Sequence, residues 1–259
     1  MIHFFKKFRL GLLSQKSPAG RYFLYAIGEI ILVVVGILIA LAVNNWNSER
    51  KDQRLGEDLL VRIHRDLVQD TLMFRENISN NMILRVEIKE LLVDLYKGVE
   101  SKAEVQRMSA TYDKALDQVF APNDNTYRSI LSSGNLGLIR NPELKEEIID
   151  LYSDYDQAAA LLSSINDWML GVAIVVDTET DFIKFNEDMN DIYSTDEMLP
   201  DQDFAFLNNK EDPGFKILVR AISATAFNQK VRTAYYSELI GRCDKLLQLI
   251  DEELKETQN

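Results

Sequence analysis

The chain has 259 residues, 29 Lys and Arg against 41 Asp and Glu, a formal net charge of −12 and 46% hydrophobic side chains. That length and apolar content exclude a chain that is disordered throughout, and five Pro with 11 Gly are too few for a collagenous or turn-rich all-β protein. One Cys (Cys243) excludes an intrachain disulfide and a Cys-based zinc cluster, two His (His3 and His64) leave no His-rich metal site, and the acidic balance argues against nucleic acid as a partner.

The charge is unevenly placed. Lys6, Lys7, Arg9, Lys16 and Arg21 give the first 28 residues +5 with no acid. After Glu29, residues 30–259 hold the remaining 24 bases and 40 acids, a net −16. In residues 2–13, Phe4, Phe5, Phe8 and Leu12 share one helical face, away from Lys6 and Lys7. That pattern suits either a short amphipathic helix on an anionic leaflet or a frayed basic tail, and residues 1–21 read as a basic cytoplasmic head.

Residues 22–43 are apolar apart from Glu29. At helical rise they span about 33 Å, enough for a bilayer core of about 30 Å. Tyr22, Phe23 and Tyr25 mark one end and Trp46 the other, as interfacial aromatics do. A buried core helix is the weaker reading. Ala40-Leu41-Ala42 has the form of a signal-peptidase site, but Ile37, Leu38 and Ile39 before it and the long head favour an uncleaved anchor. The basic head puts the N-terminus in the cytoplasm and residues 44–259 in the periplasm, although Arg50, Lys51, Arg54, Arg62 and Arg65 follow the span.

A carboxyl inside a span is costly and marks function. On a helical wheel Val33, Gly36, Ala40, Val43 and Asn47 share the face of Glu29. Gly36 and Ala40 form a small-x-x-x-small pair that admits a close neighbour. Glu29 therefore reads as a hydrogen bond across an oligomer, a salt bridge to a membrane partner, or a group on an ion path. No second buried polar residue supports the last of these.

The body reads as an antiparallel helical bundle, all-α, with no sustained period-2 alternation. A helix runs from Asn44 to about Lys97, with its kink expected at Asn77–Asn81. Ser101 and Glu104 form a capping box opening a helix to about Phe120. Ala121–Asn125 reads as a loop, and Thr126–Ser133 as a short helix stopped by Gly134. Asn141-Pro142-Glu143 starts a helix to about Asp177, in which Met169–Val176 is a core segment. Asp212-Pro213 starts the last helix, whose Tyr236, Ile240, Cys243, Leu247, Ile250 and Leu254 form a heptad seam. Cys243 on that seam reads as buried and inert.

Candidate chemistry is sparse. Asp177-Thr-Glu179-Thr-Asp181 resembles the start of a calcium loop, but Phe182 stands where Gly is needed and Asp188 where Glu is needed. A solvated acidic loop is the simpler reading. No nucleophile-elbow, zincin or phosphate-loop motif occurs, and His64 reads as a surface residue. The turn at Gly134, Asn135, Leu136 and Gly137 is either a packed connector or a partner-docking turn, its two glycines free to take positive φ.

The run Tyr25–Asn47 resembles the signature of a family of Bacteroidota membrane proteins, the domain of unknown function numbered 6090. Tyr127–Leu136 and Asn141–Leu144 are similar to later parts of that family. The resemblance implies an N-terminal anchor with a helical body, and no activity, ligand or catalytic residue. The expectation is a single-pass inner-membrane scaffold or accessory subunit, non-enzymatic and without a cofactor. It would be paired through its span with itself or a membrane partner. A periplasmic ligand sensor and an ion-path subunit using Glu29 are the alternatives.

Overall fold

The computed structural model describes residues 18–116 and 119–258, so the expected amphipathic head at residues 1–17 lies outside the described residues. The chain divides into two compact units, Met1–Gly56 and Glu57–Asn259.

Helix α1 runs from Pro18 to Lys97. In the first unit the described residues are all helical, and every side chain described from Ala26 to Asp52 is exposed. Helical assignment is continuous through Asn77–Asn81, where the kink is expected. The Asn77 amide donates to the Met73 carbonyl one turn back at 2.9 Å, and Asn81 turns inward, 2% exposed. Asn77 thus back-bonds to its own helix and Asn81 is taken into the core, and the helix continues through both. Gly98, at φ 104°, ends α1, since a residue with a Cβ is strained there.

The second unit is built from four legs. The first is α1 from Glu57 onward. The return leg is pieced together from α2 (Lys102–Lys114), the non-helical residues 119–124 and α3 (Asn125–Ser133). The last two legs are α4 (Pro142–Glu179) and α5 (Pro213–Gln258). Among the described residues there is no strand. Successive legs alternate in direction. On the return leg Phe120 stacks on Phe74 and Asn123 reaches Asp70, so the chain retraces α1 from its end. Lys245 meets Glu147 and Asn228 meets Met169, which sets α4 against α5. Arg75 meets Asp244 and Tyr96 meets Phe215, which sets α5 against α1.

Local chemistry fixes most boundaries. Ser101 accepts from the Glu104 N–H, and the Glu104 carboxylate accepts from the Glu100 N–H at 2.8 Å. Asn141 caps α4 by accepting from Glu143 and Leu144, with Pro142 at the first helical position. Asp212 accepts from Gly214 at the start of α5. Helix α2 ends at Lys114, not Phe120, because the Phe120 ring and Asn123 are held on α1 and draw the chain off the helical path.

Two apolar clusters fill the body. One joins Leu84–Leu95 of α1, α2, the end of α4 and the start of α5. The other joins Leu59–Phe74 of α1, α3, the start of α4 and Tyr236–Ile250 of α5. The expected heptad seam is used inside the bundle, but its buried line is Tyr236, Leu239, Cys243, Leu246 and Ile250. Ile240, Leu247 and Leu254 only flank it. The Met169–Val176 segment is half core: Met169, Ala173 and Val176 are buried, whereas Ile174 is 60% exposed.

The acidic stretch after α4 is not a solvated loop. It forms short 3₁₀ turns that drive Phe182, Phe185, Leu199, Phe204 and Leu207 into the first cluster.

Candidate functional site

The apolar run of α1 is the most conspicuous chemical feature. From Ala26 the helix reaches a mean hydropathy of 2.9 with none of its window buried. Ile30, Leu32, Leu38 and Leu41 are all more than half exposed. Exposed apolar surface of this extent requires a cover, because each side chain left in water forfeits about 1.5–3 kcal/mol of transfer energy. Glu29 stands among Ala26, Ile30, Val33 and Val34. At 100° per residue Gly36 and Ala40 fall within about 20° of it, and nothing lies within 4 Å of a Cβ built on Gly36. A second helix, Pro142–Glu179, also passes a length-and-hydropathy test for spanning, with 22% of its window buried.

The interior of the second unit holds three polar features. The first centres on Asp70, which is fully buried. Its carboxylate accepts from the Asn123 backbone N–H at 2.8 Å, the Asn123 amide at 2.7 Å and the Tyr155 hydroxyl at 3.0 Å. Burial raises the Asp70 pKa and these donors partly offset it. Because the Tyr155 proton goes to Asp70, the Cys243 thiol donates to the Tyr155 oxygen, 3.1 Å away. Burial pushes the thiol up to about 11, so it is a poor nucleophile, in keeping with its expected inertness. Phe74, Phe120 and Tyr236 stack beside this cluster.

The second feature is a polar layer between the two apolar clusters. Asn81 of α1 and Thr225, Asn228, Gln229 and Arg232 of α5 are all at most 2% exposed. Arg232 donates to the Asn228 side chain at 3.1 Å and to the Tyr236 hydroxyl. Both polar atoms of Gln229 and the Asn81 amide nitrogen have no protein partner. The sequence offered a signal for this layer: stepping back from Tyr236 at helical spacing reaches Arg232, Gln229 and Thr225, polar residues at core positions.

The third feature is Asp113 at the end of α2. It accepts from the Asn186 amide at 2.6 Å and from Ser109. Burial pushes its carboxyl up to about 6, and the Asp177 and Asp188 charges add to the rise.

The calcium-loop pattern is not presented. Asp177 and Glu179 belong to the last turn of α4, and Asp181 takes a left-handed φ of 53°. Among the described residues no cluster of three or more His, Cys, Asp or Glu could hold a metal ion. His64 lies at the surface, partly exposed, with its Nε2 3.3 Å from Asp251 on α5. In the turn after α3, Gly134 takes φ 71° as expected, whereas Gly137 sits in a 3₁₀ turn without positive φ. Leu136 and Leu138 pack against the core, Ile139 is buried, and Gly134 and Gly137 face outward.

An exposed groove of about 680 Å³ runs between α1 and α5, lined by Met82, Val86, Leu92, Val93, Tyr96 and Ala226 among others.

These features define an all-α bundle protein whose first helix carries a long uncovered apolar segment. The chain belongs to the family of unknown function DUF6090, whose model matches residues 29–208. The match begins at Glu29 and ends before α5, the helix that supplies Arg232 and Cys243. No curated protein and no solved structure matches the chain.

Proposed function

We propose that the chain is a single-pass inner-membrane protein, spanning with residues 22–43, its N-terminus cytoplasmic and residues 44–259 periplasmic. It acts by protein–protein interaction as a non-enzymatic scaffold or accessory subunit. The observation that carries this reading is the wholly exposed apolar segment of α1. The basic head supports the orientation. Glu29, Gly36 and Ala40 offer a face for a second helix, on which a desolvated carboxyl gains a hydrogen-bond partner. The mass of the membrane-extracted protein tests the anchor: an intact chain that resists carbonate extraction supports it, and loss of residues 1–42 overturns it. Crosslinking from Gly36→Cys and Ala40→Cys reads the span contact.

A second reading, a periplasmic ligand sensor, draws on the polar layer at Asn81 and Gln229, whose amides have bonding capacity to spare. A thermal shift with a metabolite panel separates the two: a saturable rise in melting temperature that Gln229→Leu abolishes favours the sensor. An ion-path role for Glu29 requires that Glu29→Gln assemble normally yet lose activity.

A further inference from the structure

The inner face of α1 builds the core of the body, but its outer face carries a second ordered pattern. Val61, Val68, Leu72, Met82, Val86 and Val93 are between 39% and 61% exposed. With Arg65, Arg75, Ser79, Lys89 and Tyr96 they occupy positions alternating by four and three residues from 61 to 96. Scattered exposed apolar residues need no explanation. An apolar row kept in a 4-3 register over this length is the pattern of a coiled-coil seam. Inside one chain only the Arg75 and Tyr96 positions of that row are used, against Asp244 and Phe215 of α5; the core is served by Leu60, Ile63, Leu67, Phe74, Ile88 and Leu95 on the other face.

We propose that this outer face of α1 is a homodimer seam, covered by the same face of α1 in a second copy running parallel to it. Three observations select a second copy. The first is the register itself, which a self-complementary helix pair satisfies by symmetry. The second is area. The six apolar residues expose roughly 530 Å² on each copy. Two copies bury roughly 1,100 Å², just above the ~1,000 Å² a specific interface must clear. The third is charge. In a parallel pair, Arg85 on one flank of the seam faces Glu90 on the opposite flank of the second copy, five residues on. The Arg85 guanidinium is already oriented by the Ala226 carbonyl at 2.6 Å. The adjoining groove, with Met82, Val93 and Tyr96 on its wall, gives the second helix room beside α5. Arg75 turns to Asp244 on α5. Arg65 and Lys89 face their own copies across a parallel seam, a like-charge cost that their long stems reduce by carrying the charged heads out to solvent.

The parallel sense rests on the anchored reading above, since two copies inserted alike must run alike. The seam itself does not rest on it. Val86→Cys, Val93→Cys, Ser79→Cys and Asn80→Cys are made singly in the full chain and oxidised with copper phenanthroline in native membranes. Unsubstituted chain, whose Cys243 is buried, is the control. Covalent dimer is expected at Val86→Cys and Val93→Cys and not at Asn80→Cys, which lies on another face. Dimer at Ser79→Cys without the other two indicates antiparallel pairing and overturns the parallel seam. No dimer at any position, or equal dimer at Asn80→Cys, overturns the seam altogether. The double variant Val68→Glu/Val86→Glu, with unchanged helicity by circular dichroism, is expected to halve the mass by light scattering in mild detergent. Retention of the dimer mass also overturns the proposal. The intact-mass measurement reports separately on the anchor, so a cleaved chain that still crosslinks at Val86→Cys removes the anchor and leaves the seam standing.

Discussion

The side chain of Asn208 pairs with both backbone groups of Val99. Its Oδ1 accepts from the Val99 N–H at 2.7 Å and its Nδ2 donates to the Val99 carbonyl at 2.8 Å. One amide thereby does what a neighbouring strand would do, and it fastens the last 3₁₀ turn before α5 to the chain leaving α1. Replacing Asn208 with Ala leaves two backbone groups without partners in a part-buried place. A loss of about 1–3 kcal/mol is expected in urea unfolding of the detergent-solubilised protein. Asn208→Asp keeps the acceptor but sets a carboxylate oxygen against the Val99 carbonyl, so a loss at least as large is expected.

Asp70 holds three donors from two elements, which makes it the most heavily bonded buried carboxylate described. Asp70→Ala strands the Asn123 N–H and the Tyr155 hydroxyl, and a loss of about 3 kcal/mol is expected. Tyr155→Phe removes one donor to Asp70 and one acceptor for Cys243, and about 1 kcal/mol is expected. Denaturant midpoints of the two variants check the order; a larger loss in Tyr155→Phe contradicts it.

Asp113 predicts a pH dependence. Its folded pKa, about 6, lies above the ordinary carboxyl value of 3.8, so folding favours the protonated form. The benefit is present below pH 3.8 and lost as pH rises through 6. Above pH 6 the ionised carboxylate opposes folding, by about 1 kcal/mol once partial solvent screening is allowed for. Asp113→Asn keeps the acceptor for Asn186 and removes the charge. It is expected to raise the melting temperature at pH 7.5 and to leave it unchanged at pH 4. An equal effect at both values assigns the gain to something other than the charge.

Cys243 predicts slow labelling. With its thiol at about 11 and its side chain fully buried, disulfide reagents at pH 8 are expected to modify it only through unfolding. The modification rate then tracks denaturant concentration. Rapid stoichiometric labelling of the native protein contradicts this.

Much of the framework was legible in the sequence because cap chemistry is local. Asn141 with Pro142, Asp212 with Pro213, Ser101 and Gly134 each mark a boundary within a few residues of themselves, and the structure places helix ends there. What depends on distant pairing was not legible. The stack of Phe74, Phe120 and Tyr236 joins three legs far apart in sequence, and it is what ends α2 early. The stretch after α4 misled because its charges dominate by number, whereas five apolar side chains decide its position and 3₁₀ turns give them no periodic signature. The candidate face at Glu29, Gly36 and Ala40 could be placed by periodicity alone, since one helix sets it. The Asp70 and Asp113 clusters need partners brought from several elements.

The polar layer at Asn81, Gln229 and Arg232 has a mechanical consequence. Buried polar side chains separate the two apolar clusters there, and native-state hydrogen exchange is expected to show the two ends of the body opening with different free energies. Helices α1, α4 and α5 cross that plane without a break. A disturbance at one end therefore reaches the other as sliding or rotation of whole helices, with no need for side chains to repack along the way.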